Sequence, residues 1–177
     1  MNSETTKEKL AEVHDDCYRW ALFCAKGQRE VALEIIQSVY LKIYEGKAVF
    51  DETRNSAFKS WIFSVIRYTY LDLRRKEGRY SNEVNLSLIK ESGSNNVEKE
   101  LNLKERNMLM TSLLSALSEK QSEILRLVFY HDLTIEEASE VMSVQVGTAR
   151  THYERGKAKL KKLIETSRIK DELINDY

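Results

Sequence analysis

An all-α fold of two helical domains joined by a flexible linker is what this sequence predicts, and three observations predict it. Apolar residues recur at three- and four-residue spacing along nearly the whole chain. Proline is absent from all 177 residues, where average usage of about 5% would give roughly nine, and there are only six glycines. Between Ser81 and Glu98 the helical pattern lapses into Ser and Asn and the aromatic residues stop. The expected division is a helical domain over 1–80, a linker over 81–105, and a second helical domain over 106–177 that carries a helix-turn-helix.

The N-terminal elements follow from spacing. Leu10, Val13, Cys17, Trp20, Ala21 and Cys24 form one apolar face; Val31, Ile35, Val39 and Ile43 form a second; Phe58, Trp61, Ile62, Val65, Ile66, Thr69 and Leu73 form a third. Three amphipathic helices are therefore expected by residue 76, with turns at Lys26-Gly27 and between Glu45 and Asn55. Trp61 falls on the apolar side, which predicts a core residue. Asp72 lies at the rim, where Arg67 or Arg75 is the available partner, or solvent. Cys17 and Cys24 lie on one helical face, and with His14 they offer an H-x-x-C fragment; core packing is the expectation, since two more ligands at metal spacing are missing.

In the linker, Val84, Leu86 and Leu88 alternate with polar residues. That is the period of an extended segment that docks on something, or simply a tether. The helical pattern resumes from Val97 through Leu101, Met108, Leu113 and Leu117. Two helix starts are then marked by capping boxes, Ser118 to Gln121 and Thr134 to Glu137. A short helix ending near Met142, the connection Ser143-Val144-Gln145 and a longer helix from Val146 make a helix-turn-helix.

The 28 basic and 28 acidic side chains cancel, and the cancellation conceals their placement. Residues 54–80 carry seven basic and two acidic side chains, and residues 146–164 carry six and one, so each block is +5 in an acidic background. Along the helix from Phe58, the stripe Lys59, Phe63, Arg67, Tyr70 and Arg74 interleaves cations with aromatics. Such a stripe suits a single strand of nucleic acid, with rings stacking on bases and cations on phosphates. The alternative is that Phe63 and Tyr70 pack on the first two helices. On the helix from Val146, the inward set is Val146, Ala149, Tyr153, Gly156, Leu160 and Leu163. The outward set is Thr148, Thr151, His152, Arg155, Lys159 and Lys162, small hydroxyls followed by cations, which fits a major groove.

These residues resemble a bacterial sigma factor of the extracytoplasmic-function type. Glu34 to Tyr44 resembles the region 2 helix that grips the clamp helices of core RNA polymerase. Phe58 to Arg67, with Leu71 to Arg75, is similar to the part that opens and holds the minus-ten element. Leu117 to Gln121 and Val146 to Arg155 resemble region 4, which reads the minus-35 element. The resemblance implies polymerase contacts at Glu34, Gln37 and Tyr40; minus-ten contacts at Lys59, Phe63, Arg67, Tyr70, Arg74 and Arg75; and minus-35 contacts at Thr148, Arg150, Thr151, His152, Arg155 and Lys159. The loop Asp51 to Ala57 stands where the family captures a flipped promoter base, and it is the most idiosyncratic piece of the resemblance.

Two positions depart from the family pattern: Ser143 stands where Gly is usual and Gln145 where a Ser or Thr cap is usual. The implied partners are core RNA polymerase, promoter DNA and an anti-sigma factor. No enzymatic role, cofactor or metal is implied, since the chemistry belongs to the polymerase. A charged N-terminus and the lack of an apolar run near 18 residues predict a cytoplasmic protein with no membrane insertion. The competing readings are a free-standing helix-turn-helix regulator with an N-terminal dimerisation or sensing domain, and a helical interaction protein in which Phe63 and Tyr70 are both buried.

Overall fold

The computed structural model describes residues 3–53, 57–77 and 116–166. The expected linker, the Val84 to Leu88 alternation and the pattern from Val97 to Leu113 lie outside the described residues. Among those described there are seven helices and no strand. The chain divides into two compact units, Met1–Leu88 and Ile89–Tyr177.

The first unit holds α1 (Ser3–Glu12), α2 (His14–Cys24), α3 (Arg29–Tyr44) and α4 (Phe58–Glu77). The apolar period expected to make one helix up to Cys24 is split at Val13, whose backbone (φ −103, ψ 5) leaves the helical region. Asp15 and Asp16 then sit in the first turn of α2, where carboxylates favour the positive end of the helix dipole. The turn after α2 is closed by Lys26 and Gly27, with amides donating to the carbonyls of Phe23 (3.0 Å) and Leu22 (2.9 Å). Both residues have positive φ, 53 and 83, the left-handed conformation this closure requires.

Helices α2, α3 and α4 pack on one another around Cys17, Trp20, Ile35, Val39, Ile62, Phe63 and Ile66, all fully buried. The buried row of α4 is Ile62, Phe63, Ile66 and Thr69, which rotates its inward face toward Phe63 relative to the expected one. Phe63 is removed from the stripe proposed to face nucleic acid. Its ring stacks on Trp20 at 5.6 Å between centroids and 9° between planes, and its carbonyl accepts the Trp20 indole N–H at 3.1 Å. Trp61 is only half-buried, in an aromatic group with Phe50 and Phe58 whose centroids lie 5.3 to 5.4 Å apart.

The second unit holds α5 (Glu119–Phe129), α6 (Ile135–Met142) and α7 (Val146–Thr166). Both expected capping boxes are formed: Ser118 accepts from the Gln121 amide and Thr134 from the Glu137 amide, and each partner side chain reaches back. Ala138, Val141, Met142 and Ala149 are buried where α6 meets α7. Gly156 sits where α7 meets α5; a Cβ there would lie 3.0 Å from Leu125 Cδ1 and 3.3 Å from Gln121 Cβ, so the bare backbone permits the close approach. Val146, expected inward, is 38% exposed.

Helix α6 ends in a left-handed residue, and that residue is Ser143 (φ 55, ψ 48). The Ser143 amide donates to Glu140 O and the Val144 amide to Ser139 O, both at 3.0 Å. The left-handed geometry for which glycine is the usual residue is thus reached here with a serine, at a steric cost.

Phe63→Ala is expected to destabilise the protein by about 3–5 kcal/mol, read by chemical denaturation, because it removes a fully buried ring. A cost below about 1 kcal/mol would contradict this placement of Phe63. Ser143→Gly is expected to raise stability by about 0.5–1 kcal/mol in the same measurement, by relieving the left-handed strain; a destabilisation would contradict it.

Candidate nucleic-acid interface

On α7 the outer face is built by the helix period. Thr148, Arg150, Thr151, Arg155, Lys159 and Lys162 are exposed and His152 is half-buried, while Ala149 and Gly156 anchor the opposite side. The capping box of α6, the Ser143 turn and the Gly156 contact together fix the angle at which α7 stands out. Thr151 Oγ1 donates to Gly147 O at 2.9 Å, which commits its proton to the helix and leaves the oxygen to accept from a base edge. Arg150 lies 3.4 Å from Glu136 of α6, with both side chains about 60% exposed. An exposed pair of this kind contributes little, so Arg150 is easily exchanged onto a phosphate. Charge is segregated within the motif: Glu136, Glu137 and Glu140 are on α6 and the cations are on α7. The cationic side of the motif is therefore on α7.

On α4 the expected stripe comes apart. Phe63 is buried, and Lys59 is tied to Asp16 of α2 at 2.6 Å with its ammonium 5.9 Å from the Phe63 ring. Arg67 and Tyr70 are half-buried, and Arg74, Arg75 and Lys76 are exposed. The Arg74 guanidinium lies 5.8 Å from the Tyr70 ring. Asp72 pairs with Arg75 at 3.3 Å, one of the two partners expected for it. The exposed aromatic of α4 is Tyr68, at 52%, a residue the spacing argument passed over. The cationic surface of α4 therefore runs along its C-terminal half.

A second outward face lies on α3. Glu34 and Gln37 are exposed as expected, and Leu33, Leu41 and Tyr44 are exposed beside them at 49%, 57% and 56%. Spacing of 33, 37, 41 and 44 puts Leu33, Leu41 and Tyr44 on one stripe with Gln37 among them. Tyr40 is half-buried, with its hydroxyl 2.8 Å from His14 Nδ1, and burial raises its pKa. In the loop before α4, the Thr53 amide and hydroxyl both donate to Asp51 Oδ1, at 3.0 and 2.6 Å, and Val49 is 72% exposed. Residues 54–56 of the expected base-capturing loop lie outside the described residues.

Cys17 is fully buried, and that burial, with the neighbouring Asp16 carboxylate, pushes its thiol up to about 12, so it stays protonated in the core. Among the described residues no cluster of three or more His, Cys, Asp or Glu is gathered as a metal site, and no helix is long and apolar enough to cross a membrane.

Comparison with known proteins assigns both units. Residues 10–80 match the family model for Sigma-70 region 2, and residues 107–160 match that for Sigma-70, region 4. The chain is 27% identical over 151 residues to the ECF RNA polymerase sigma factor SigM of Bacillus subtilis, covering 84% of this chain and 88% of that one. It is 29% identical over 140 residues to the RNA polymerase sigma factor SigZ of the same organism, covering 78% and 76%. Among solved structures its fold resembles the sigma factor RpoE of Bartonella quintana, solved in complex with the anti-sigma factor NepR (TM-score 0.67, 19% identity, 93% of this chain and 99% of that one). It also resembles CnrH, solved in complex with the cytosolic domain of CnrY (TM-score 0.62, 18% identity, 94% and 91%).

Replacing two exposed cations of α7 together, Arg155→Ala with Lys159→Ala, is expected to weaken duplex binding by the chain assembled with bacterial core RNA polymerase. The slope of log K against log salt should fall by about one to two units. Fluorescence anisotropy across a salt series reads both, and an unchanged slope would remove this face from the phosphate contacts.

Proposed function

We propose how this chain, which belongs to the sigma-70 family as a sigma factor of the extracytoplasmic-function type, engages its partners. A sigma factor directs core RNA polymerase to promoters, and the matched regions 2 and 4 are the two parts that this work requires. The observation that carries the reading is the presence of both regions in order in one chain, each with its own outward face. A free-standing helix-turn-helix regulator is not favoured, because its N-terminal domain would have no reason to match region 2. The interaction-protein reading required Phe63 and Tyr70 both buried; Phe63 is, and Tyr70 is half-exposed beside Arg74.

In this reading α3 docks on the polymerase clamp through Glu34, Gln37 and Tyr40. The apolar patch of Leu33, Leu41 and Tyr44 supplies the area that two polar side chains alone do not. On α7, Thr148, Thr151, His152 and Arg155 meet base edges of the minus-35 element, and Arg150, Lys159 and Lys162 meet its backbone. A bidentate Arg contact to guanine discriminates by about 1–3 kcal/mol. On α4, Arg67, Tyr70, Arg74 and Arg75 hold the opened minus-ten strand. Lys59 contributes only if it exchanges Asp16 for a phosphate.

Each face is weak alone, and attachment of both to one polymerase makes every contact after the first intramolecular. The chain itself is a specificity subunit and performs no bond chemistry. It works where the polymerase works, in the cytoplasm. The solved RpoE structure with the same fold carries an anti-sigma factor, and an anti-sigma factor is proposed as a partner here, covering the same α3 face.

Run-off transcription with core polymerase and a promoter library tests the function. Transcripts that require this chain and share upstream elements are expected. Initiation at no sequence, or binding to a palindromic site without polymerase, would overturn it.

A further inference from the structure

We infer that Lys9 of α1 is a positioning residue for base discrimination in the opened strand, because its ammonium clips the loop between α3 and α4 at both ends; the inference rests on the sigma-factor reading above. Lys9 Nζ lies 5.7 Å from the Phe50 ring centroid, 5.8 Å from that of Phe58 and 3.8 Å from Glu52 Oε1. Phe50 and Glu52 belong to the loop, and Phe58 is the first residue of α4. The two phenylalanine rings meet edge to face at 5.3 Å, and Trp61, one turn into α4, lies 5.4 Å from each. A cation set against two rings gains from both, and the carboxylate beside it adds to the hold. Next to Lys9, Leu10 is buried, and the break at Val13 sets α1 off from α2 as a separate arm. That arm therefore reaches the loop through one side chain.

The loop offers a strand something that α4 does not. The exposed end of α4 carries Arg74, Arg75 and Lys76, cations that hold phosphates whatever the sequence. The loop carries Asp51, Glu52 and Thr53, all exposed. Carboxylates repel phosphates but accept hydrogen bonds from base amino groups, so these side chains suit reading bases and not gripping the backbone. Within the loop, the Thr53 hydroxyl and amide both donate to Asp51 Oδ1, at 2.6 and 3.0 Å, which sets the turn locally. Local bonds do not fix where the turn stands relative to α4. Lys9 does, by tying Phe50 and Glu52 to Phe58, and it also offsets the Glu52 charge next to a polyanion. Arginine supplies the same hold, since a guanidinium both stacks on rings and pairs with a carboxylate. Methionine fills the space without the charge.

The test uses the full chain assembled with core polymerase, well below its melting transition, so that a change in stability alone does not move the result. The probes are fork-junction fragments whose single-stranded minus-ten segment carries all four bases in turn at each position, and a closed duplex that ends upstream of it. The parent is expected to prefer one base at one position or more. Lys9→Met is expected to reduce that preference about two- to tenfold, with holoenzyme assembly and duplex binding unchanged, and Lys9→Arg to keep it. Phe50→Leu is expected to lose the same preference, and the double variant no more than either alone, because both break one clip. An unchanged preference in Lys9→Met would overturn the inference and leave the sigma-factor reading intact. Equal weakening for all four bases would overturn it too, by making Lys9 a backbone contact. Additive losses in the double variant, loss of preference in Lys9→Arg, loss of holoenzyme assembly in Lys9→Met, or a parent with no base preference would each do the same. A parent chain that binds the forks no better with polymerase than without would instead overturn the reading on which the inference rests.

Discussion

The packing of Trp20 against Phe63 sets what the rest of the N-terminal unit presents. The ring pair and the indole N–H bond to the Phe63 carbonyl lock α4 to α2 in one rotational setting. A setting with Phe63 outward would expose a ring whose burial stabilises by about 1.5–3 kcal/mol. It would also strand a buried indole donor at about 1–3 kcal/mol. No exposed cation on α4 can offset that, since surface charges contribute about 1 kcal/mol or less. With the rotation fixed, Tyr68 and the Arg74 to Lys76 end fall outward, and Lys59 falls within reach of Asp16. The exposed cationic face of α4 is thus a consequence of how its core face packs.

The C-terminal unit solves the same problem with backbone rather than rings. Two capping boxes begin α5 and α6, a left-handed Ser143 ends α6, and Gly156 lets α7 lie close on α5. Each device fixes one angle, and together they leave one side of α7 for solvent. The acidic residues of α6 then restrict approach of an anion to α7. Both units separate a rigid apolar side from a cationic side, within a chain whose net charge is zero.

Much of this was legible in the sequence, and the parts that were not have physical reasons. The caps of α5 and α6 and the turn at 143–145 were legible because cap chemistry is local: a hydroxyl and a Glu or Gln three residues on specify the start whatever the rest does. The outward set of α7 was legible because its inward neighbours are small or apolar at every turn, save Val146 at the edge. The face of α4 is ambiguous in the sequence because it carries aromatics on several sides, and periodicity cannot tell a ring that packs from one that stacks on a ligand. Only the partner helix α2, with Trp20, decides that Phe63 goes in and Tyr68 out. The break at Val13 was missed for a related reason, since a helix split without Gly or Pro leaves the apolar period intact. The apolar stripe of α3 escaped notice because Leu33, Leu41 and Tyr44 look like more of the same core.

The rotation of α4 decides which of its side chains face outward, and solvent access to its rings measures it directly. In the intact chain, a soluble gadolinium chelate should broaden the ring resonances of Tyr68 and spare those of Phe63 and Trp20. Broadening of Phe63 with protection of Tyr68 would contradict the account, because it would place α4 in the opposite setting and move the cationic face with it.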